Sequence, residues 1–117
     1  MLYPTSEVKV YLGLGSTDMR KSIDSLSILV SEHLDRNPLS GHLFVFCNKR
    51  RTILKILYWD RNGFCLWHKR LEVDKFRWPN CEEEVNEVSL RELIWLTESL
   101  EINQCGAHIT RNYGNVC

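Results

Sequence analysis

Apolar and polar positions along this chain change period several times, and the changes divide it into elements. Val8-Lys9-Val10-Tyr11-Leu12 alternates with period two and predicts a first strand, ended by Gly13-Leu14-Gly15. Ser16-Thr17-Asp18 then offers side-chain oxygens to helix N–H groups that lack partners. Met19, Ile23, Leu26, Val30 and Leu34 follow at three- and four-residue steps, which predicts an amphipathic helix to about Arg36, stopped by Asn37-Pro38.

The next stretch returns to period two. His42 to Cys47 is rich in strand formers and leads into the basic turn Asn48-Lys49-Arg50-Arg51. Ile53 to Trp59 predicts a second strand of this meander, with Leu54, Ile56 and Tyr58 on one face and Ile53, Lys55, Leu57 and Trp59 on the other. Asp60-Arg61-Asn62-Gly63 is a hairpin signal, because Asn and Gly both tolerate positive φ. Phe64 to Glu72 predicts the third strand, and Phe76-Arg77-Trp78 a short fourth ended by Pro79. Cys81 to Glu87 reads as an acidic loop. Ser89-Leu90-Arg91-Glu92 is a capping box that starts a second helix with Leu93, Leu96 and Leu100 as its buried stripe.

The expected fold is therefore α+β: an antiparallel sheet, a meander of three to four strands plus the N-terminal strand, with two helices packed on it. Both helices are expected on one sheet face, with Leu43, Val45, Leu54, Ile56 and Tyr58 joining Ile23, Leu26 and Val30 in a single core. Residues 1–102 form one α+β domain in this reading. Residues 103–117, where the periodicity stops, are an expected disordered or divergent tail.

Composition narrows the class. With 117 residues, 44% hydrophobic and 26% charged, the chain has the make-up of one soluble globular domain. No run approaches the roughly 18 apolar residues of a membrane span, and the first residues lack the features of a signal peptide. A cytoplasmic location is the expectation. The five cysteines are odd in number and none are spaced C-x-x-C, so neither a disulfide framework nor a zinc knuckle is implied. Cys47 and Cys65 read as small apolar strand residues.

The net charge of zero conceals an asymmetry. Residues 1–79 hold thirteen Lys and Arg against eight acids, whereas residues 80–117 hold two against seven. Within residues 40–79 nine cations face three acids, interleaved with Tyr58, Trp59, Phe64, Trp67, Phe76 and Trp78. Cations on one surface bind phosphates and exposed aromatic faces stack on bases, so Lys49, Arg50, Arg51, Lys55, Lys69, Arg70 and Arg77 are candidate nucleic-acid contacts. The plainer alternative is a solvated sheet face over an aromatic core. Arg20 and Lys21, beside the first helix, are candidates for a phosphate or partner contact, although Asp18 opposes an anion there and fits a helix cap better.

Other chemistry finds less support. Asp18, Asp24, Asp60 and Asp74 show no spacing that singles out a metal-binding pair for a nuclease. Period two sets His42 and Cys47 on opposite faces, and Cys65 and His68 likewise, which argues against zinc. No nucleophile motif is present. The residues imply no metal, no cofactor and no catalytic set.

Taken in order, Thr17-Asp18-Met19-Arg20-Lys21, Ser40-Gly41-His42-Leu43-Phe44-Val45-Phe46, Leu54-Lys55-Ile56-Leu57-Tyr58-Trp59-Asp60, Gly63-Phe64-Cys65-Leu66-Trp67, Lys69-Arg70-Leu71-Glu72 and Phe76-Arg77-Trp78-Pro79 closely resemble the TnpB (second open reading frame) proteins of the insertion-sequence-sixty-six family. The match runs from about Met1 to Ile102, and Leu90 to Leu96 fits the family's usual ending. Ser99 stands where the family often has Gly, and the tail from Asn103 matches nothing in it.

This resemblance implies a non-enzymatic accessory role in transposition, beside a separate transposase that carries the catalytic acidic triad. The partners it implies are that transposase and DNA at the transposon ends. A pure protein adaptor for the transposase is the alternative, and a small metal-dependent nuclease the third reading.

Overall fold

The fold grows from a central strand that is apolar on both faces. A computed structural model describes residues 8–79 and 85–98, and its elements are β1 (Val10–Gly13), α1 (Ile23–Glu32), β2 (Leu43–Cys47), β3 (Ile53–Asp60), β4 (Gly63–Arg70), β5 (Val85–Val88) and α2 (Leu90–Thr97). They make one α+β unit around a five-stranded sheet of order β4-β3-β2-β1-β5. The β2-β3-β4 meander is antiparallel as expected, and β5 runs antiparallel to β1. The pair β1-β2 is parallel, with Tyr11 opposite Phe44, because α1 intervenes as a crossover between them.

A strand buried on both faces reads as a continuous apolar run, and every residue of β2 is buried. This burial corrects the expectation that both helices share one face. Leu26, Val30 and Leu34 of the α1 region pack on Tyr11, Phe44, Phe46 and Leu57. Leu43, Val45, Leu54, Ile56 and Tyr58 point the other way and meet Leu93 and Leu96 of α2. Two cores, one per face, replace the single core. Gly13 at the end of β1 fits the α1 side, where a Cβ would lie 3.0 Å from the ring of Phe46.

The segment Phe76-Arg77-Trp78 is not a strand. Phe76 and Trp78 instead bury their rings in the α2-side core, and Phe76 N donates to Arg51 O. The remaining strand is β5, which takes up the end of the stretch 81–87 expected to be an acidic loop; residues 81–84 of that stretch lie outside the described residues. So do the expected tail 103–117 and Leu100.

Helix α1 is shorter than its apolar period. Asp18 accepts from Arg20 N at 2.9 Å, and this local turn keeps residues 17–21 out of the helix. At the far end Asp35 enters the left-handed region at φ 55, which a short polar residue tolerates, and the chain leaves the helix axis. The second helix starts as expected: Glu92 N donates to Ser89 Oγ at 3.0 Å, and Ser89 N donates to Glu92 Oε1 at 2.9 Å. The β3-β4 hairpin has a two-residue loop, but its positive φ falls on Arg61, at 58, and not on the Asn-Gly pair.

Candidate nucleic-acid interface

Three backbone hydrogen bonds bring distant cations to one end of the sheet. Thr17 N donates to Cys47 O at 2.9 Å, which lays the loop before α1 against the end of β2. Leu71 N donates to Thr52 O at 2.8 Å and Phe76 N to Arg51 O at 2.7 Å, which lays the segment after β4 against the β2-β3 turn. Arg20 and Lys21, Lys49 to Arg51, Arg70, Lys75 and Arg77 thereby share the end of the sheet where β1, β2 and β4 finish and β3 begins.

At the centre is a rigid turn. Asn48 Oδ1 accepts from Thr52 N at 2.8 Å and Ile53 N at 3.0 Å, while its amide donates to Thr52 Oγ1 at 3.2 Å. Arg51 N closes the turn on Asn48 O, and Arg51 itself holds φ 64. These contacts project Lys49 and Arg50 into solvent from a fixed base, while Arg51 is half-buried. Asn48 is a positioning residue; the sequence places the turn on it, but the role of its side chain emerges only from these bonds.

Charges around this end are partly neutralised. Arg20 makes a bidentate pair with Asp18, its closest contact 2.7 Å, and that guanidinium bond holds the Asp18 carboxyl down to about 2. The same pair raises Arg20 above its ordinary value. Arg70 Nε pairs with Glu72 at 3.0 Å. Among the described residues no carboxylate lies in ion-pair range of Lys49, Arg50, Arg51, Lys75 or Arg77. Both ion pairs are exposed, so they are weak and easily exchanged for phosphate.

Two candidates have other occupations. Lys55 is buried at 8% exposure, and its ammonium donates to Met19 O and Lys21 O, each at 2.9 Å. It holds the loop that carries Arg20 and Lys21 onto the sheet. Lys69 Nζ donates to Thr97 O at 2.9 Å and so serves the carbonyl end of α2, where a cation is favoured.

The aromatics divide similarly. Tyr58, Phe76 and Trp78 are buried, and Trp59 meets Phe64 edge-on at 5.0 Å. Trp67 is exposed on β4, where it borders an apolar groove of about 230 Å³ with Ile56, Tyr58, Leu93, Ile94 and Thr97.

Among the described residues no three His, Cys, Asp or Glu side chains sit close enough to hold a metal ion. His42 has a structural contact: its Nδ1 accepts from Lys9 N at 3.0 Å. No helix among the described residues is long and apolar enough to cross a membrane.

The model of the IS66 Orf2 like protein family matches residues 8–107, which takes in every described element. This chain belongs to the IS66 Orf2-like family. It is accordingly a transposition-associated accessory protein of an insertion-sequence family. Similar chains include the uncharacterized protein y4hO of Sinorhizobium fredii (strain NBRC 101917 / NGR234), 38% identical over 101 residues that cover 86% of this chain and 88% of that one. The uncharacterized protein y4jC of the same strain is 31% identical over 101 residues, covering 86% of each chain. No solved structure matches this IS66 Orf2-like chain.

Proposed function

We propose that this IS66 Orf2-like protein is a non-catalytic accessory factor that contacts DNA at the transposon ends through the basic end of its sheet. The observation that carries this reading is the convergence of Lys49, Arg50, Lys75 and Arg77 with Arg20 and Lys21, from three separate chain segments, around a turn fixed by Asn48. A surface most of whose cations lack carboxylate partners gains affinity from displacing counterions on the phosphate backbone. Lys55 supports this surface from behind by holding the loop of Arg20 and Lys21, while Lys69 is engaged at the end of α2.

Titration of duplex transposon-end DNA at several salt concentrations tests the reading. Each phosphate neutralised adds about 0.9 to the slope of log affinity against log salt, so Lys49→Ala with Arg50→Ala should lower that slope by about two. Binding should weaken for all sequences alike. Equal slopes for variant and wild type would clear the turn of phosphate contact. No measurable wild-type binding would favour an adaptor for the transposase, a reading that draws on the exposed Trp67 and Ile94.

A further inference from the structure

The outer edge of β4 is long, regular and unguarded. It spans eight residues, holds an unbroken register with β3, and among the described residues has no strand on its other side. Soluble proteins blunt such edges with proline, bulges, short length or a projecting lysine. Here β4 has no proline and no bulge. Its Lys69 is turned onto Thr97 O, and its Arg70 is paired with Glu72. Among the described residues no proline, bulge, free lysine or covering segment guards this edge.

The phase of the edge follows from one bond. Leu71 N donates to Thr52 O, so residues 63, 65, 67 and 69 direct their N–H and C=O groups at β3. Phe64, Leu66, His68 and Arg70 direct theirs outward. The exposed Trp67 and Ile94 border the apolar groove beside this edge, so unpaired backbone and uncovered apolar side chains coincide.

We propose that this edge takes the β4 edge of a second copy, antiparallel, with Trp67 on the two-fold axis. One register uses all the outward groups: Phe64 against the second copy's Arg70, and Leu66 against its His68. The same register is free of opposed like charges, which destabilise directly facing pairs. Arg70 meets an aromatic ring, where a cation is attracted, and Lys69 meets the uncharged Cys65. Trp67 faces its own copy in a non-hydrogen-bonded pair, the closer kind, with Cα atoms about 4.5 Å apart. The charge pattern is thus self-complementary, which selects a second copy over an unrelated strand. The two sheets become continuous, each α2 stands on the same face beside the seam, and the two basic ends lie at opposite ends of the joined sheet. This inference is independent of DNA contact.

Sedimentation equilibrium of the full chain should show a dimer. His68→Pro removes an outward N–H without touching the β3 ladder, so it should weaken dimerisation at least tenfold while circular dichroism stays unchanged. Trp67→Cys, with Cys65→Ala and Cys81, Cys105 and Cys117 changed to Ser, should form an interchain disulfide on mild oxidation, since the Cα separation falls in the bonding range. A wild-type monomer at all concentrations would overturn the proposal. So would a dimer that survives His68→Pro and gives no cross-link at position 67. Protection of β4 amides from exchange only when the transposase is added would show that the edge takes a foreign strand, and would overturn self-pairing as well.

Discussion

The ammonium of Lys55 donates to the main-chain carbonyl of Lys21 at 2.9 Å, so one cation fixes the backbone of another. Met19 O accepts from the same nitrogen. The loop before α1 is therefore tied to β3 by a charge buried beneath it, and the exposed cations of that loop inherit a fixed position.

Lys55→Met keeps the stem and removes the charge. Two half-buried carbonyls lose a charged donor, so unfolding free energy should fall by about 1.5–3 kcal/mol, measured by urea denaturation. The salt slope of DNA binding should not change, because this ammonium faces the protein. A slope lower by about one would show that Lys55 does reach a phosphate.

Lys69→Met should cost about 0.5–1 kcal/mol, the usual worth of a cation at a helix C-terminus. The loss should appear as faster amide exchange in the last turn of α2, where Thr97 O accepts from Lys69. Unchanged exchange there would mean that packing of Leu93 and Leu96 alone holds the helix end.

Ser89→Ala removes one half of the capping box and should lower stability by about 1 kcal/mol. Ser89→Asp keeps an acceptor for Glu92 N and should retain most of it. Equal losses in the two variants would assign the effect to something other than the cap.

Alkaline pH should destabilise the fold through Cys47. Burial pushes its thiol from 9.0 up to about 12, so the folded state keeps the proton longer than the unfolded chain. The stabilisation is fully present below pH about 9 and is lost as pH rises toward about 12. Tyr58, raised from 10.0 to about 12 chiefly by burial, acts in the same direction. Urea midpoints should fall across this window, less steeply in Cys47→Ala. A midpoint that is flat across the window would show that the thiol is not desolvated.

Most elements were legible in the sequence because their signals are local. The capping box at Ser89, the alternation of Ile53 to Trp59 and the turn at Asn48 each need only a few neighbouring residues. The placement of α1 was not legible, since β2 is apolar on both faces and its pattern gives no preference for either. Strand β5 was hidden by the glutamates around it; its partner β1 is remote in the chain, and no local period reports that pairing. At the site, Lys49 and Arg50 were readable because a turn must expose its tip. The cover over Lys55 was not legible, because period two assigns a face without saying what covers it. The cover is the loop at Met19 to Lys21, which helical periodicity had absorbed into α1.

The position of β1 in the sheet sets the order in which the chain becomes foldable as it leaves the ribosome. Val10 takes Leu43 on one side and Val88 on the other, so among the described elements the first strand made is completed by the last one. When synthesis has reached Pro79, the meander and α1 are complete, but β1 still shows an open edge and Leu43, Val45 and Ile56 still lack α2. A copy of the element interrupted before codon 85 would therefore yield a chain with an uncovered apolar face and two pairing edges, a form disposed to aggregate and to be degraded. Translation through α2 closes the second side of β1 and covers that apolar face.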